Sequence, residues 1–189
     1  MNGILLRMIS TIMNDGGRSM RDDFAVFILT HGRANKLVTL RALKKGGYTG
    51  KIYFLIDDED EQYDEYVRKY GCNNVIVFNK RDVIAKTDTM DNFDKHSAIV
   101  YARNVVFSVA REKGLKFLLM LDDDYSSFEY RFVKDNGLRN RQLRNLDAVF
   151  SAAIDFMEKN KNVLTLAFAQ GGDFVGGGGR FELLEGLHA

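Results

Sequence analysis

The run Phe24-Ala-Val-Phe-Ile-Leu29 constrains this chain more than any other stretch, because six consecutive apolar residues leave no face for water. A strand of that kind must be covered on both sides, as strands are in parallel sheets flanked by helices. Lys51-Ile-Tyr-Phe-Leu-Ile56, Val75-Ile-Val-Phe78 and Phe117-Leu-Leu-Met-Leu121 repeat the signature. Between these runs apolar residues fall at helical spacing. Leu37, Leu40 and Leu43 precede Gly46-Gly47; Tyr63, Tyr66, Val67 and Tyr70 precede Gly71; Ala98, Ala102, Val105, Val106 and Val109 precede Gly114. Glycine just past the last apolar position is a common helix stop. Strands alternating with helices predict an α/β fold, a three-layer sandwich around a mainly parallel central sheet.

The other segments are less regular. Residues 79–95 read as a polar stretch without periodicity, and Phe128, Tyr130 and Phe132 alternate with Glu129 and Arg131 as in a half-exposed strand. Leu143, Leu146, Phe150, Ile154 and Met157 trace a helix, and Val163–Ala169 reads as a strand. Gly171–Gly179 reads as a flexible loop or lid, since it lacks the Lys-Ser/Thr ending of a phosphate-binding P-loop. Residues 1–22 read as a loose leader, with Met20 as an alternative start, and residues 23–189 as one domain. No window approaches the roughly 18 uninterrupted apolar residues of a membrane span. A net charge of +1 makes no overall case for nucleic acid or an anionic membrane. Cys72 is the single cysteine, which rules out an internal disulfide and fits a cytoplasmic location.

In parallel sheets ligands bind beyond the carboxyl ends of the strands. Thr30-His-Gly-Arg33, Asp57-Asp58 and Asp122-Asp123-Asp124 each follow a strand end, so they are expected to gather on one edge. Three adjacent carboxylates repel one another, and a divalent cation removes that repulsion. Asp122 and Asp124 offer hard oxygen ligands suited to Mn²⁺ or Mg²⁺ beside phosphate oxygens. Two other readings stand beside this one. The triplet also reads as a solvated acidic turn, or Asp122-x-Asp124-x-Ser126 as the nucleophile loop of a haloacid-dehalogenase-like phosphatase. In the latter, Asp122 attacks phosphorus and Asp124 is the general acid, but such loops sit on the first strand, and here three strands come earlier. His96 and Cys72 lack partners at zinc-ligand spacing.

The segment Ala98-Ile-Val-Tyr-Ala-Arg-Asn104, followed by a helix and Phe117–Asp124, resembles the core of family 2-like GT-A glycosyltransferases. Those carry Ala-Arg-Asn on the helix before the strand that ends in Asp-x-Asp. With Thr30-His-Gly-Arg33, Gly47-Tyr-Thr-Gly50, Asp91-Asn-Phe93, Tyr101–Asn104 and Leu121–Tyr125, the chain is similar to the TET-associated glycosyltransferase group of phage and bacterial proteins. The resemblance spans residues 24–133 and, more weakly, the stretch to Gly179. It implies a GT-A (Rossmann-like) fold, a UDP-sugar donor and a divalent metal. It also implies site roles: Thr30, His31 and Arg33 at the nucleotide, Asp57 accepting from uracil N3–H, and Arg103 facing the diphosphate. Asp122 and Asp123 would meet ribose or sugar hydroxyls, with the metal on Asp122 and Asp124. The implied acceptor is a hydroxymethylated base in phage DNA, within a bacterial or phage-infected cytoplasm.

Local alternatives accompany these roles. His31 can equally cap a turn, and Arg103 can pair with Asp94 or Glu112. The basic set Arg131, Lys134, Arg139, Arg141 and Arg144 reads as an ordinary solvated face rather than a site for DNA phosphates. No catalytic base is named, because Asp173, Glu182 and Glu185 lack a motif, so inversion and retention both stay open. Only 65 of the 189 residues follow Asp124, so the acceptor half reads as incomplete. An inactive nucleotide-binding remnant or interaction module is therefore the alternative function.

Overall fold

The computed structural model describes residues 19–87, 99–134 and 137–169. Residues 1–18 of the 1–22 leader, Asp91–Phe93, Asp94, His96, Asp135 and the glycine-rich tail with Asp173, Glu182 and Glu185 lie outside them, while Met20 of that leader is buried in the core. In chain order the elements begin β1 (Phe24–Leu29), α1 (Val38–Lys45), β2 (Lys51–Asp57), α2 (Tyr63–Tyr70), β3 (Val75–Phe78) and α3 (Lys80–Ile84). They continue with α4 (Ile99–Glu112), β4 (Phe117–Asp122), β5 (Glu129–Lys134), β6 (Gly137–Gln142) and α5 (Leu146–Lys159).

Four strands form one all-parallel sheet in the order β3-β2-β1-β4. The expected α/β architecture is therefore present, and β1 lies inside the sheet with all six residues buried. Alternate residues of β1 serve opposite faces. Phe24, Val26 and Ile28 pack with Leu43 of α1, Tyr66 of α2 and Leu146, Phe150 and Ile154 of α5. Ala25, Phe27 and Leu29 pack instead with Val106, Val109 and Ala110 of α4. A fully buried Phe or Ile side chain contributes about 2 kcal/mol of transfer free energy, so this double core fixes the sheet that carries the loops.

The chain runs from β1 to β2 and β3 on one side, then crosses to β4 on the other. Leu29 pairs with both Leu55 and Asp122. The strand order thus reverses between β1 and β4, where doubly wound sheets open a crevice at their carboxyl ends.

Several segments depart from the sequence reading. Residues 163–169 form no strand; residues 164–169 line an apolar groove beside β4, with Phe168 against Phe150 at 5.8 Å. Helix α5 starts at Leu146 rather than Leu143, because the Asn145 side chain caps it by accepting the Ala148 N–H at 3.3 Å. Leu143 N–H instead donates to the Phe128 carbonyl at 2.8 Å, closing the base of a β5–β6 ribbon. β6 was not expected, since Gly-Leu-Arg-Asn-Arg-Gln lacks apolar alternation; pairing with β5 supplies its order. Within the polar stretch, Asn79 accepts the Asp82 N–H at 2.9 Å and starts the short α3. Gly47 has φ +77° where α1 docks on the entry to α5, and a Cβ there would lie 2.7 Å from the Arg144 carbonyl oxygen. Among the described residues no helix is long and apolar enough to cross a membrane.

Candidate functional site

The loop after β1 is held by a closed ring of hydrogen bonds. Thr30 Oγ1 lies 2.7 Å from Asp123 Oδ2 and 3.0 Å from Tyr66 Oη. A carboxylate can only accept, so Thr30 spends its one proton on Asp123 and receives the proton of Tyr66. The Tyr66 oxygen then accepts the Arg33 N–H at 2.9 Å, and the Arg33 guanidinium returns to Asp123 Oδ1 at 2.7 Å. Burial pushes the Tyr66 hydroxyl pKa up, which keeps that donor protonated. Asp60 adds a second tether, accepting the Gly32 N–H and the Gln62 N–H, both at 2.8 Å, while Gln62 Oε1 accepts the Ala34 N–H at 2.9 Å.

The acidic turn after β4 is clamped through its backbone. Val38 and Thr39, the first residues of α1, direct their N–H groups at the Asp123 carbonyl at 3.0 and 3.1 Å. These are helix N-terminal donors that otherwise lack partners. Thr39, fully buried, donates its hydroxyl to the Asp122 carbonyl at 2.6 Å and accepts the Tyr125 N–H at 2.9 Å. The three carboxylates then diverge. Asp123 is buried in the ring, whereas Asp122 is more than a third open and meets Arg103 only at 3.4 Å. Asp124 is exposed and lines the cleft.

On the β2 side, Asp57 Oδ2 takes His31 Nδ1 at 3.0 Å and Lys80 Nζ at 3.6 Å, and Oδ1 accepts the Glu59 N–H at 3.0 Å. Asp58 accepts from Asn79 Nδ2 at 2.7 Å and from the Lys80 N–H at 2.9 Å. Between the two acidic turns lies a cleft of about 470 Å³, within the size range of small-ligand pockets. It is lined by the apolar Leu29, Leu55, Phe78 and Ile99 and by the polar Thr30, His31, Arg33, Asp57, Lys80 and Asp122–Asp124. Tyr101 also lines it, and its buried hydroxyl has no hydrogen-bond partner among the described residues.

The expected convergence therefore holds for Thr30, His31, Arg33, Asp57, Asp122, Asp123 and Asp124, all of which line the cleft. Arg103 reaches it through Asp122, not through Glu112. The described residues contain no ready group of three His, Cys, Asp or Glu for a metal. Asp122 and Asp124 nevertheless fit Mn²⁺ or Mg²⁺, which commonly take one or two carboxylates and complete their shell with phosphate and water oxygens. The sequence reading missed Thr39, Asp60, Tyr66, Lys80 and Tyr101 as site residues. Of these, Asp60 lies inside an acidic run after a strand and Tyr101 opens the Tyr101–Asn104 segment of the resemblance; the other three carry no local signal.

Comparison with known proteins gives two matches. The family model for the TET-Associated Glycosyltransferase matches residues 24–185. An uncharacterized glycosyltransferase of Acanthamoeba polyphaga mimivirus is 32% identical over 115 residues, covering 53% of this chain and 44% of that protein. The chain thus aligns with less than half the length of that curated relative. No solved structure matches.

Proposed function

The chain belongs to the TET-associated glycosyltransferase family, and from that premise we propose that it transfers a sugar from a UDP-sugar to a hydroxyl acceptor with the help of Mn²⁺ or Mg²⁺. The observation that carries this reading is the pair of open carboxylates, Asp122 and Asp124, at a switch-point cleft whose backbone is clamped by Thr39. Those two would hold the metal, which when bound supplies Lewis-acid stabilisation of the departing diphosphate. Arg103, half-exposed beside Asp122, would share the diphosphate charge, a role that suits a planar guanidinium. Asp57 has about four lone-pair positions and three donors around it, which leaves one acceptor position for a base N–H. Thr30, His31 and Arg33 would border the nucleotide, and Asp123 would act from behind by fixing Thr30 and Arg33.

The acceptor in this reading is a hydroxymethylated base in DNA, in a bacterial or phage-infected cytoplasm. Its hydroxyl must lose a proton as the glycosidic bond forms. The phosphatase reading loses its support: the acidic turn follows the fourth strand rather than the first, and the family is one of glycosyltransferases.

Calorimetric titration of UDP and UDP-glucose, with Mn²⁺ and then with EDTA, tests the donor site. Binding that requires the metal is expected; a folded chain that binds neither ligand in either condition would end the reading. Sugar-nucleotide turnover above the no-protein rate separates a transferase from a module that only binds.

A further inference from the structure

Much of the basic set that the sequence alone presents as an ordinary solvated face lies on the β5–β6 ribbon. Residues 129–144 carry five Lys or Arg against two acidic residues, in a chain whose net charge is +1, so the remainder is slightly negative. The β5–β6 register orders part of that charge. Tyr130 lies opposite Arg141, and Phe132 opposite Arg139. Directly opposed residues of an antiparallel pair project to the same face, as do residues two apart. One face of the ribbon therefore presents Tyr130, Phe132, Arg139 and Arg141 together. Both rings stay open to solvent, at 37% and 40%, and both arginines are exposed.

Among the described residues, neither ring packs into a core cluster. The ribbon's extensive contacts run between its own two strands, and an isolated two-stranded ribbon is only marginally stable in water. Charge on exposed strands can serve to block edge-to-edge pairing, which accounts for the arginines but not for rings set opposite them. Rings beside guanidinium groups match a single nucleic-acid strand, which offers base faces for stacking and phosphates for charge. The ribbon is also well placed. Its base at Phe128–Leu143 begins four residues after Asp124, at most about 14 Å of extended chain from the acidic turn.

We propose that this face docks a single DNA strand, stacking bases on Tyr130 and Phe132 and pairing phosphates with Arg139 and Arg141, so that the strand is led toward the cleft. The choice of DNA rests on the acceptor proposed above; the stacking and the charge do not.

Fluorescence anisotropy on the full chain tests the idea, with a labelled single-stranded oligodeoxynucleotide and the matching duplex measured across a salt series. The single strand is expected to bind more tightly than the duplex. Phe132→Ala should weaken it about tenfold at every salt concentration. Arg139→Gln combined with Arg141→Gln should flatten the slope of log K against log salt by about 1.4. No binding by the unaltered chain, a preference for duplex, or wild-type behaviour of both variants would each overturn the proposal. The arginine variant touches no buried residue, so it decides the matter should Phe132→Ala unfold. UDP titration of the same samples keeps the two readings apart. Lost UDP binding with intact DNA binding sinks the donor site alone, and the converse sinks the docking face alone.

Discussion

The chain has two acidic turns, one after β2 and one after β4, on either side of β1, and they are built differently. After β2, Asp57, Asp58 and Asp60 each accept at least two hydrogen bonds or ion pairs from His31, Gly32, Gln62, Asn79 or Lys80. After β4, Asp123 alone is buried and fully engaged, while Asp122 has one loose partner among the described residues and Asp124 is exposed. Similar sequences, strand then acids, thus give a structural tie in one case and a tied turn with two open carboxylates in the other. The difference arises from what faces each turn. The β2 turn meets Asn79 and Lys80 at the start of α3, whose side chains reach its carboxylates, whereas the β4 turn meets the start of α1, which holds backbone groups of Asp122 and Asp123.

The most damaging test of that division is Asp123→Ala. It removes the acceptor for Thr30 and Arg33 and leaves a threonine hydroxyl in a half-buried ring without its partner. Charge-assisted hydrogen bonds contribute about 1.5–3 kcal/mol each, and the Arg33 bond counts for less because that side chain is half exposed. A loss of about 2–3 kcal/mol in urea unfolding is expected. A change within about 0.5 kcal/mol, the range of ordinary surface substitutions, would make Asp123 equivalent to its neighbours and dissolve the comparison.

Asp124→Ala probes the opposite pole. The stability of the free chain should stay within about 0.5 kcal/mol, while metal-dependent UDP affinity should fall at least about tenfold, or 1.4 kcal/mol. Calorimetry with Mn²⁺ and with EDTA reads both arms. An unfolded variant, or one with unaltered metal-dependent affinity, would take Asp124 out of the open class.

How much of this was legible beforehand differs by residue. β1 could be read from its own six letters, because continuous apolarity admits few environments. Asp122 and Asp124 could be read as a ligand pair from their place after an apolar strand. Even the separate fate of Asp123 had a signal, since alternate residues leaving a strand face opposite sides; the sequence reading grouped it with Asp122 at the sugar instead. Thr39 and Tyr66 had no such signal. Thr39 meets Asp122 across 83 positions, and Tyr66 meets Thr30 across 36. Their helical stripes marked Tyr66 as core and passed over Thr39 as polar. β6 was hidden for a similar reason: its order comes from its partner strand, not from its own composition.

The smallest expected effect concerns Tyr101, in the wall of the cleft between the two turns, whose buried hydroxyl lacks a partner among the described residues. An unsatisfied buried hydroxyl costs about 1–3 kcal/mol relative to one that is paired. Tyr101→Phe deletes that liability without opening a large cavity, so the free chain should gain up to about 1 kcal/mol of stability in urea unfolding. If the nucleotide sugar supplies the missing partner, the same variant should bind UDP-glucose a few-fold more weakly, so that stability and affinity move in opposite directions. Higher stability with unchanged affinity would make the hydroxyl a packing imperfection of α4. Lower stability would mean that the hydroxyl has a partner in the free chain, and that this stretch of the wall is tied by side chains as most of the β2 turn is.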